Sequence, residues 1–296
     1  MADAFWQEEP STGGEFHHNW IHQAFDGEQL GHFDESRSHH NVYTHNYDNH
    51  VELETYAEGF GSRDLHVHDN LMLACPLGAV SHQGEGIIGP HYVYRNVILG
   101  HDEAGLAAWT QIKSLAPAAV EGIHYVNNVI WAGDGSLFWD SREHLVFRNN
   151  ILVFDALEDV EDPANPLDSE SNLLVNAQDA PWLRGPEHGL YAGADPDAIG
   201  FLDPSQLNFG LGAGSPAVDA GEPFPGITDD VADGLPDMGA FEFGTLPGVD
   251  WPRPAATTFT CDPPTRWNGE MPEDYCGDDD DTGDDDTADD DTGDDD

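Results

Sequence analysis

A short pattern of β-type residues around an asparagine recurs through the first half of the chain. In each copy an apolar run precedes an Asn and a second apolar run follows it, as in residues 93–98. Val, Ile, Tyr and Phe favour strands, and Asn tolerates the left-handed backbone of a tight corner. The spacings between successive copies are 27, 24, 26, 32 and 21 residues. The copies centre on six asparagines: Asn19, Asn46, Asn70, Asn96, Asn128 and Asn149.

Repeat lengths of this size are typical of a solenoid. One coil of short strands cannot bury its own apolar face, whereas stacked coils can. Equivalent residues in neighbouring coils then lie about 4.8 Å apart, so the corner asparagines can form a hydrogen-bonded ladder. Residues 102–122 form the largest insertion, with a short helix expected near residues 106–114. We predict an all-β fold of stacked parallel strands; a β-sandwich with similar edge motifs is the alternative.

The repeat resembles that of the right-handed parallel β-helix in pectate-lyase-like proteins, over residues 14–243. Residues 47–54 (YDNHVELE) and 89–96 (GPHYVYRN) are similar to two coils found in a subgroup of secreted β-helix proteins. The first of those coils carries a pair of acids, and Asn49 stands here in place of the second acid. The resemblance implies a right-handed parallel β-helix in a secreted or surface-displayed protein.

The end of the repeat region carries a second resemblance. Residues 214–221 (GSPAVDAG) and 237–242 (DMGAFE) are similar to the ending of β-helix surface proteins with variable C-terminal anchors, the choice-of-anchor group. An Arg commonly follows the Asp-Gly of that ending, whereas Leu235 and Pro236 stand here. We expect this ending to cover the last open coil, because an exposed solenoid edge must be capped. Residues 1–243 would then be the β-helix, with its cap from about residue 200.

Two segments follow the predicted β-helix. Residues 244–276 are Pro-rich and are interpreted as an appendage, and residues 277–296 as a disordered Asp/Thr/Gly-rich linker. Cys261 and Cys276 are separated by 14 residues. We favour a disulfide between them, formed in an oxidising compartment, with two free thiols as the alternative. Cys75 lies in an apolar stretch and is expected to be a small buried residue.

The charge of the chain excludes some partners. Asp and Glu number 58 against 9 Lys and Arg, giving a formal charge of −49. The last 20 residues hold 13 of the acids, which leaves 45 acids against 9 bases, or −36, on the rest. A nucleic-acid binder needs a basic footprint, and anionic lipid also attracts basic segments. We expect a monomeric bacterial protein, secreted or at the cell surface, with no membrane-spanning segment, signal peptide or anchor in this sequence. The acidic tail resembles a spacer before a surface-sorting signal; calcium binding is its alternative role.

The candidate chemistry centres on residues 50–54. In a strand Val51 and Leu53 would point inward, so His50, Glu52 and Glu54 would line an outer face, with Ser81 of the next coil beside Glu52. Carboxylates among other acids have raised pKa values, which suits a general acid. The candidate catalytic residues are Glu52, Glu54, His68 and Asp48, and the candidate substrate-binding residues are His50, His82, Arg63, Arg95 and Trp139. No complete metal motif is present. Stacked outward histidines could bind a metal together with Asp48 or Glu52, and Ca²⁺ is the cofactor that the protein could take; a plain solvated surface is the alternative.

The resemblance to pectate-lyase-like β-helix proteins implies a role in extracellular polysaccharide chemistry. The protein would bind the glycan or cleave it as a polysaccharide lyase or glycoside hydrolase. The net negative charge repels a polyanionic sugar unless calcium intervenes, so a neutral glycan is easier to accommodate. A non-catalytic surface adhesin or stalk is the alternative, because one solenoid fold serves many functions.

Overall fold

In a computed structural model, the chain is described over residues 4, 11–30, 33–46, 48–53, 62–73, 78–83, 89–100, 110–115, 122–140, 144–157, 166–231, 234–245 and 251. The described part is nearly all β, which confirms the predicted class. Several predictions lie outside it and stay predictions: those on Glu54, Cys75, the Cys261–Cys276 disulfide and the linker 277–296.

The strands are short, and most of them pair in parallel. In chain order they are β1 (Ser11–Thr12), β2 (Glu15–His17), β3 (Trp20–His22), β4 (Glu28–Gln29), β5 (Phe33–Asp34), β6 (Arg37–His39), β7 (Val42–Thr44), β8 (Asn49–Glu52), β9 (Leu65–His68), β10 (Leu71–Leu73), β11 (Gly78–Gln83), β12 (His91–Tyr94), β13 (Val97–Leu99), β14 (Thr110–Leu115), β15 (Ile123–Val126), β16 (Val129–Asp140), β17 (Leu145–Arg148), β18 (Ile151–Leu157), β19 (Asp168–Glu170), β20 (Leu173–Val175), β21 (Leu190–Tyr191), β22 (Phe201–Asp203) and β23 (Asn208–Leu211). Helical structure in the described residues comprises α1 (Pro181–Arg184) and two 3-10 turns, Pro196–Ile199 and Pro204–Gln206. The pair β22–β23 is antiparallel.

The strands form three rows in two large sheets. The first sheet has the order β19-β17-β15-β12-β9-β6-β2. A twelve-stranded sheet contains a second row, with β3, β7, β10, β13, β16, β18, β20 and β21, and a third row, with β4, β8, β11, β14 and the end of β16. The chain visits the rows in turn, as in β6-β7-β8, β9-β10-β11 and β12-β13-β14, and each strand pairs with the equivalent strand of the next passage. This arrangement is compatible with a parallel β-helix.

The expected helix near residues 106–114 is wrong over the part that the structure describes. Thr110–Leu115 is the strand β14, which pairs in parallel with β11 on one side and β16 on the other. Strands on both sides supply hydrogen-bond partners for the backbone N–H and C=O groups of this segment. This pairing overrides the local preference for a helix.

An asparagine ladder lies at the corner between the first sheet and the second row. The backbone N–H of each ladder residue donates to the side-chain Oδ1 of the next one over 2.8–3.0 Å. The residue before each ladder position has a positive φ between 53° and 57°, which is the left-handed conformation of a tight corner. The described ladder consists of Asn19, Asn41, Asn70, Asn96, Asn128, Asn150 and Asn172.

Two of the six predicted ladder residues lie outside it. Asn149 takes the left-handed position, with φ 56°, and the following residue takes the ladder position. Asn46 lies at a different corner, where it accepts the Ala24 N–H at 3.1 Å and contacts the His50 ring. Asn tolerates both the left-handed position and the ladder position, so the sequence pattern does not separate them.

The core lies between the rows and is built from alternate residues of each strand. Val67, Val93, Tyr125 and Phe147 occupy the same register position in the first sheet and are fully buried. The rings of Tyr125 and Phe147 stack with centroids 4.9 Å apart. Equivalent residues of successive coils therefore pack directly on one another.

The C-terminal segment lies along the side of the stack, which differs from the expected end cap. Asn149 donates to Glu222 O at 2.8 Å and accepts the Glu222 N–H at 2.9 Å. Further along the same corner, Arg95 donates to Asp230, and Trp251 donates to Asp69 O at 2.8 Å. The last coil is instead covered by the helix α1, whose Leu183 is fully buried in the core.

Candidate functional site

Three carboxylates come together at the start of the third row. One ligand atom from each of Asp26, Asp48 and Glu52 lies within 4.8 Å of the others. Strand pairing creates this carboxylate cluster, because Gln29 of β4 lies in register with Glu52 of β8. Gly27 permits the close approach: a Cβ there would lie 2.2 Å from His50 O.

Two side-chain amides belong to the carboxylate cluster. Asn49 Nδ2 lies 3.3 Å from Asp26 Oδ1, 2.9 Å from Asp48 Oδ1 and 2.7 Å from Glu52 Oε1. Gln29 Nε2 donates to Glu52 Oε2 at 3.2 Å. The amide oxygens, Asn49 Oδ1 and Gln29 Oε1, are buried, and neither has a hydrogen-bond partner in the described part of the chain. The amide group of Asn49 thus occupies the space between three carboxylates and leaves its own oxygen unsatisfied.

The predicted outer face of β8 is buried. Glu52 is only 4% exposed, and His50 is fully buried beside it. Ala79 and Ser81, on the same side of the neighbouring strand, are buried as well. Alternation correctly predicts that Val51 points into the core, and Ser81 does pair with Glu52. It cannot predict that the opposite face is also covered.

The predicted substrate-binding histidines are also internal. Asn46 donates to His50 Nδ1 at 3.1 Å, and His50 Nε2 donates to Leu73 O at 3.0 Å. Burial lowers the pKa of His50 to about 3. His82 lies in the core, 2.5 Å from the Tyr125 hydroxyl, and burial lowers its pKa to about 3 as well. Both rings are therefore neutral and face the interior, so neither contacts a ligand on the surface.

The remaining predicted site residues are dispersed. The Arg95 guanidinium donates to Asp230 at 2.6 Å and to Ile227 O at 2.7 Å, so it holds the C-terminal segment. Arg63 is exposed, and its backbone N–H donates to Asp34 Oδ1. Trp139 lies in β16, in register with Lys113 of β14. His68 lies in the first sheet, away from the third row that carries Glu52. Of the predicted catalytic residues that the structure describes, it joins only Asp48 and Glu52.

The outward side of the first sheet carries two rows of adjacent rings, most of them stacked; His66 and Tyr92 are tilted by 31°. In one row the ring centroids are 5.1, 4.9 and 4.7 Å apart and the rings are parallel within 14°. In the other row the centroids are 4.8 and 5.2 Å apart. We call these rows the ring face; its members are His17, His39, His68 and Tyr94 in the first row, and His66, Tyr92 and His124 in the second.

The rings of the ring face are only partly exposed, and among the described residues Nδ1 of His66 and Nδ1 of His124 are buried without a hydrogen-bond partner. Most of its rings are half-buried, and His17 at the end of its row is exposed. His39, His68 and Tyr92 each lie between two other rings of the face. Partial burial lowers the pKa of His39, His66 and His124. These imidazoles are thus held more strongly in the neutral form, which can both donate and accept a hydrogen bond. The spacing of histidines before the ladder positions indicates this stacking, but the sequence pattern does not combine them with the tyrosines.

The sequence reasoning also missed Asp26, Glu28 and Gln29. Glu28 is buried in the core, where Ser38 donates to its Oε2 at 2.6 Å and burial raises its pKa to about 7. A signal existed in the Asp26-Gly27-Glu28 sequence, which places two acids around a residue without a side chain. This signal can be interpreted as part of a carboxylate cluster only once the register of β4 against β8 is known.

No protein-family model matches the chain, and no curated protein matches it either. In the described part of the chain, no helix has the length and apolar character that a membrane crossing requires.

Proposed function

We propose that this protein is a secreted or cell-surface right-handed parallel β-helix of the pectate-lyase-like type, and that it binds extracellular polysaccharide along the ring face. The observation that carries the proposal is the continuous stacking of imidazole and phenol rings across the coils of the first sheet. The resemblance of residues 214–242 to the ending of choice-of-anchor surface proteins supports the location.

The β-helix is supported by the three rows and by the asparagine ladder. Each row is visited once per coil, and equivalent residues hydrogen-bond from coil to coil. The right-handed sense of the β-helix is inferred from the resemblance of the repeat to that of pectate-lyase-like proteins. A stack of this kind is rigid, and it repeats any outward side chain at a fixed interval of about 4.8 Å.

The chemistry of the ring face suits a neutral glycan. The hydroxyls of Tyr92 and Tyr94 can each donate and accept a hydrogen bond. Several ring nitrogens are held by protein partners, as in His39 with Glu15 and His40, so the glycan would contact mainly the hydroxyls and the ring edges. Sugar hydroxyls are both donors and acceptors, and an extended polysaccharide also presents them at a regular spacing. The negative charge of the chain, −49, disfavours a polyanionic glycan.

Binding without cleavage is supported by the dispersal of the predicted catalytic residues. Glu52 is buried in the third row, whereas His68 lies on the ring face of another sheet. General acid–base catalysis needs both groups within hydrogen-bond reach of one substrate. An adhesin or stalk is the form of protein that fits best.

Cleavage at the carboxylate cluster is the second candidate, because three carboxylates converge there. Ca²⁺ is the ion that fits these residues, since it prefers oxygen ligands from carboxylates and amides. Turning the amides of Asn49 and Gln29 by half a turn would present their unsatisfied oxygens to it. The ion would offset two of the three negative charges and hold β4 against β8.

One experiment separates the two functions. A panel of neutral and acidic glycans is incubated with the protein, with and without Ca²⁺, and both retention and new reducing or unsaturated ends are measured. We expect retention of a neutral glycan and no new ends. New ends that disappear in Glu52→Gln, with folding intact, would establish cleavage, and the absence of any retention would refute glycan binding.

A further inference from the structure

Two adjacent histidine pairs have the same geometry at successive corners of the first sheet. His17 Nδ1 lies 2.8 Å from His18 Nδ1, and His39 Nδ1 lies 2.8 Å from His40 Nδ1. The rings within each pair are nearly perpendicular, at 88° and 84°. The equivalent rings of the two pairs stack, with centroids 5.1 Å apart. The geometry is thus repeated from one coil to the next.

The backbone builds this geometry. His18 and His40 have φ angles of 57° and 55°, which turns each ring back toward the preceding one. The ladder residues Asn19 and Asn41 follow directly and bond to each other, so the corner is fixed. A preformed pair loses little side-chain freedom when it binds a ligand.

Facing imidazole nitrogens at this separation are suited to a metal ion. Metal–nitrogen bonds are about 2.0–2.1 Å long, so two nitrogens at right angles around one ion lie about 2.9 Å apart. A tetrahedral ion would separate them by about 3.3 Å. The ion would take the place of the Nδ1 proton that bridges each pair. That proton moves through the solvent to Nε2 of the same ring, so both imidazoles stay neutral and bind through their Nδ1 lone pairs.

A carboxylate already orients one of the rings. His39 Nε2 lies 3.0 Å from Glu15 Oε1, and the ring donates its Nε2–H to that carboxylate. The hydrogen bond favours the tautomer whose Nδ1 carries a lone pair directed at His40. Metal-binding histidines typically donate their second ring N–H to a carboxylate in this way.

We propose that the pairs His17–His18 and His39–His40 each bind one Cu²⁺, Ni²⁺ or Zn²⁺ ion through their Nδ1 atoms, with Cu²⁺ bound most tightly. Imidazole suits these ions, whereas Ca²⁺ prefers oxygen. The coil spacing of about 4.8 Å prevents one ion from taking all four nitrogens. Each ion keeps positions for water or an external ligand. The proposal does not depend on glycan binding.

The chain itself suggests the test variants. Asn occupies the left-handed position in later coils, at Asn127 and Asn149. The substitutions His18→Asn and His40→Asn therefore remove one ring of each pair and retain a residue that tolerates the corner. His188→Ala is the matched control, because His188 is an exposed histidine outside the pairs.

The experiment is a calorimetric titration with Cu²⁺ alone, in excess Ca²⁺ to occupy the carboxylates. Two saturable sites are expected in the native chain and in His188→Ala, one in each single Asn variant, and none in the double variant. Glu15→Gln should weaken Cu²⁺ binding at the His39–His40 pair about tenfold or more and leave binding at the His17–His18 pair unchanged. Paramagnetic resonance of bound Cu²⁺ should show two coupled imidazole nitrogens. Two sites retained in the double variant, no saturable site in the native chain, or no nitrogen coupling would each overturn the proposal.

Discussion

Replacement of Asn96 by Ala tests the asparagine ladder most sharply. The Asn96 side chain accepts the backbone N–H of Asn70 at 3.0 Å and its Nδ2–H at 3.1 Å. It donates to Val67 O at 2.9 Å and to Asn128 Oδ1 at 3.1 Å. All three asparagines are fully buried. Truncation therefore breaks four hydrogen bonds without admitting water to replace them.

The expected loss follows from the groups left without partners. The Asn70 backbone N–H loses its acceptor, whereas its Nδ2 keeps a bond to Ser38 O at 3.0 Å. An unsatisfied buried donor or acceptor costs about 1–3 kcal/mol. With the Asn70 N–H and Val67 O both affected, we expect the free energy of unfolding to fall by about 3 kcal/mol. Asn96→Asp should be at least as destabilising, because it places a carboxylate against Asn128 Oδ1.

The assay is urea unfolding followed by tryptophan fluorescence and circular dichroism. A loss of that size lowers the midpoint by about 1 M urea at an unchanged slope. Asn208→Ala is the matched control: its Oδ1 accepts the Gly210 N–H at 3.2 Å at a half-buried site, so less than about 1 kcal/mol is expected. If Asn96→Ala and Asn208→Ala unfold at the same urea concentration, the ladder does not stabilise the stack as argued.

Three further outcomes are expected. Burial lowers to about 3 the pKa of three core histidines, His50, His82 and His91. An unfolded His has a pKa of about 6.5, so the unfolded chain binds protons at these positions below that pH whereas the folded chain does not. Each of the three histidines therefore lowers the free energy of unfolding by about 2 kcal/mol when the pH falls to 5. Glu28, whose pKa is raised to about 7, has the opposite effect: it raises the free energy of unfolding by about 2 kcal/mol when the pH falls from 7 to 5. The half-buried Glu242, whose pKa burial also raises to about 7, adds a smaller offset of the same sign as Glu28. The free energy of unfolding from urea titrations should therefore be about 3 kcal/mol lower at pH 5 than at pH 7, and equal stability would contradict the buried neutral rings. Arg95→Met should speed proteolysis of residues 222–231, which it holds through Asp230; an unchanged cleavage rate would count against that anchoring. Ca²⁺ should raise the melting temperature of the native chain but not that of Glu52→Gln, and an equal rise in both would place the ion elsewhere.

The strands and their pairing follow from local sequence in most coils. Val97–Leu99 and Val129–Asp140 begin directly after ladder asparagines, and they pair in the register that the shared pattern predicts. The pattern works because β-type residues and a corner Asn recur together, and both preferences are local. The same reasoning correctly placed Ser81 beside Glu52.

The carboxylate cluster could not be predicted, because it depends on the register of one coil. Choosing Asn46 in place of Asn41 misaligns the second coil by five residues, which sets Asp26 against Leu53 and not beside Asp48 and Asn49, where the structure places it. The true register is set by the hydrogen bond from Asn41 N–H to Asn70 Oδ1 at 2.9 Å. Only contacts between residues far apart in the sequence distinguish the alignment through Asn41 from the alignment through Asn46.

The burial of β8 and the position of the C-terminal segment also depend on distant contacts. Alternation indicates which side of a strand faces the core, but not whether the other side is covered. Likewise, the 214–242 ending suggests a cap, whereas its place along the side is set by Asn149 and Arg95. These two residues lie 73 and 135 positions from their partners Glu222 and Asp230.

The affinity of Tyr92→Ala for the neutral glycan that the native protein retains is the most direct test of the ring face. Tyr92 lies between His66 and His124 in the second ring row, with centroids 4.8 and 5.2 Å away. Tyr191→Ala is the control, since Tyr191 is an exposed tyrosine in β21, outside the first sheet. We predict that Tyr92→Ala weakens binding by about tenfold or more, the equivalent of about 1.4 kcal/mol, while Tyr191→Ala binds as the native protein does. Equal affinity of the native chain and Tyr92→Ala would contradict glycan binding at the ring face.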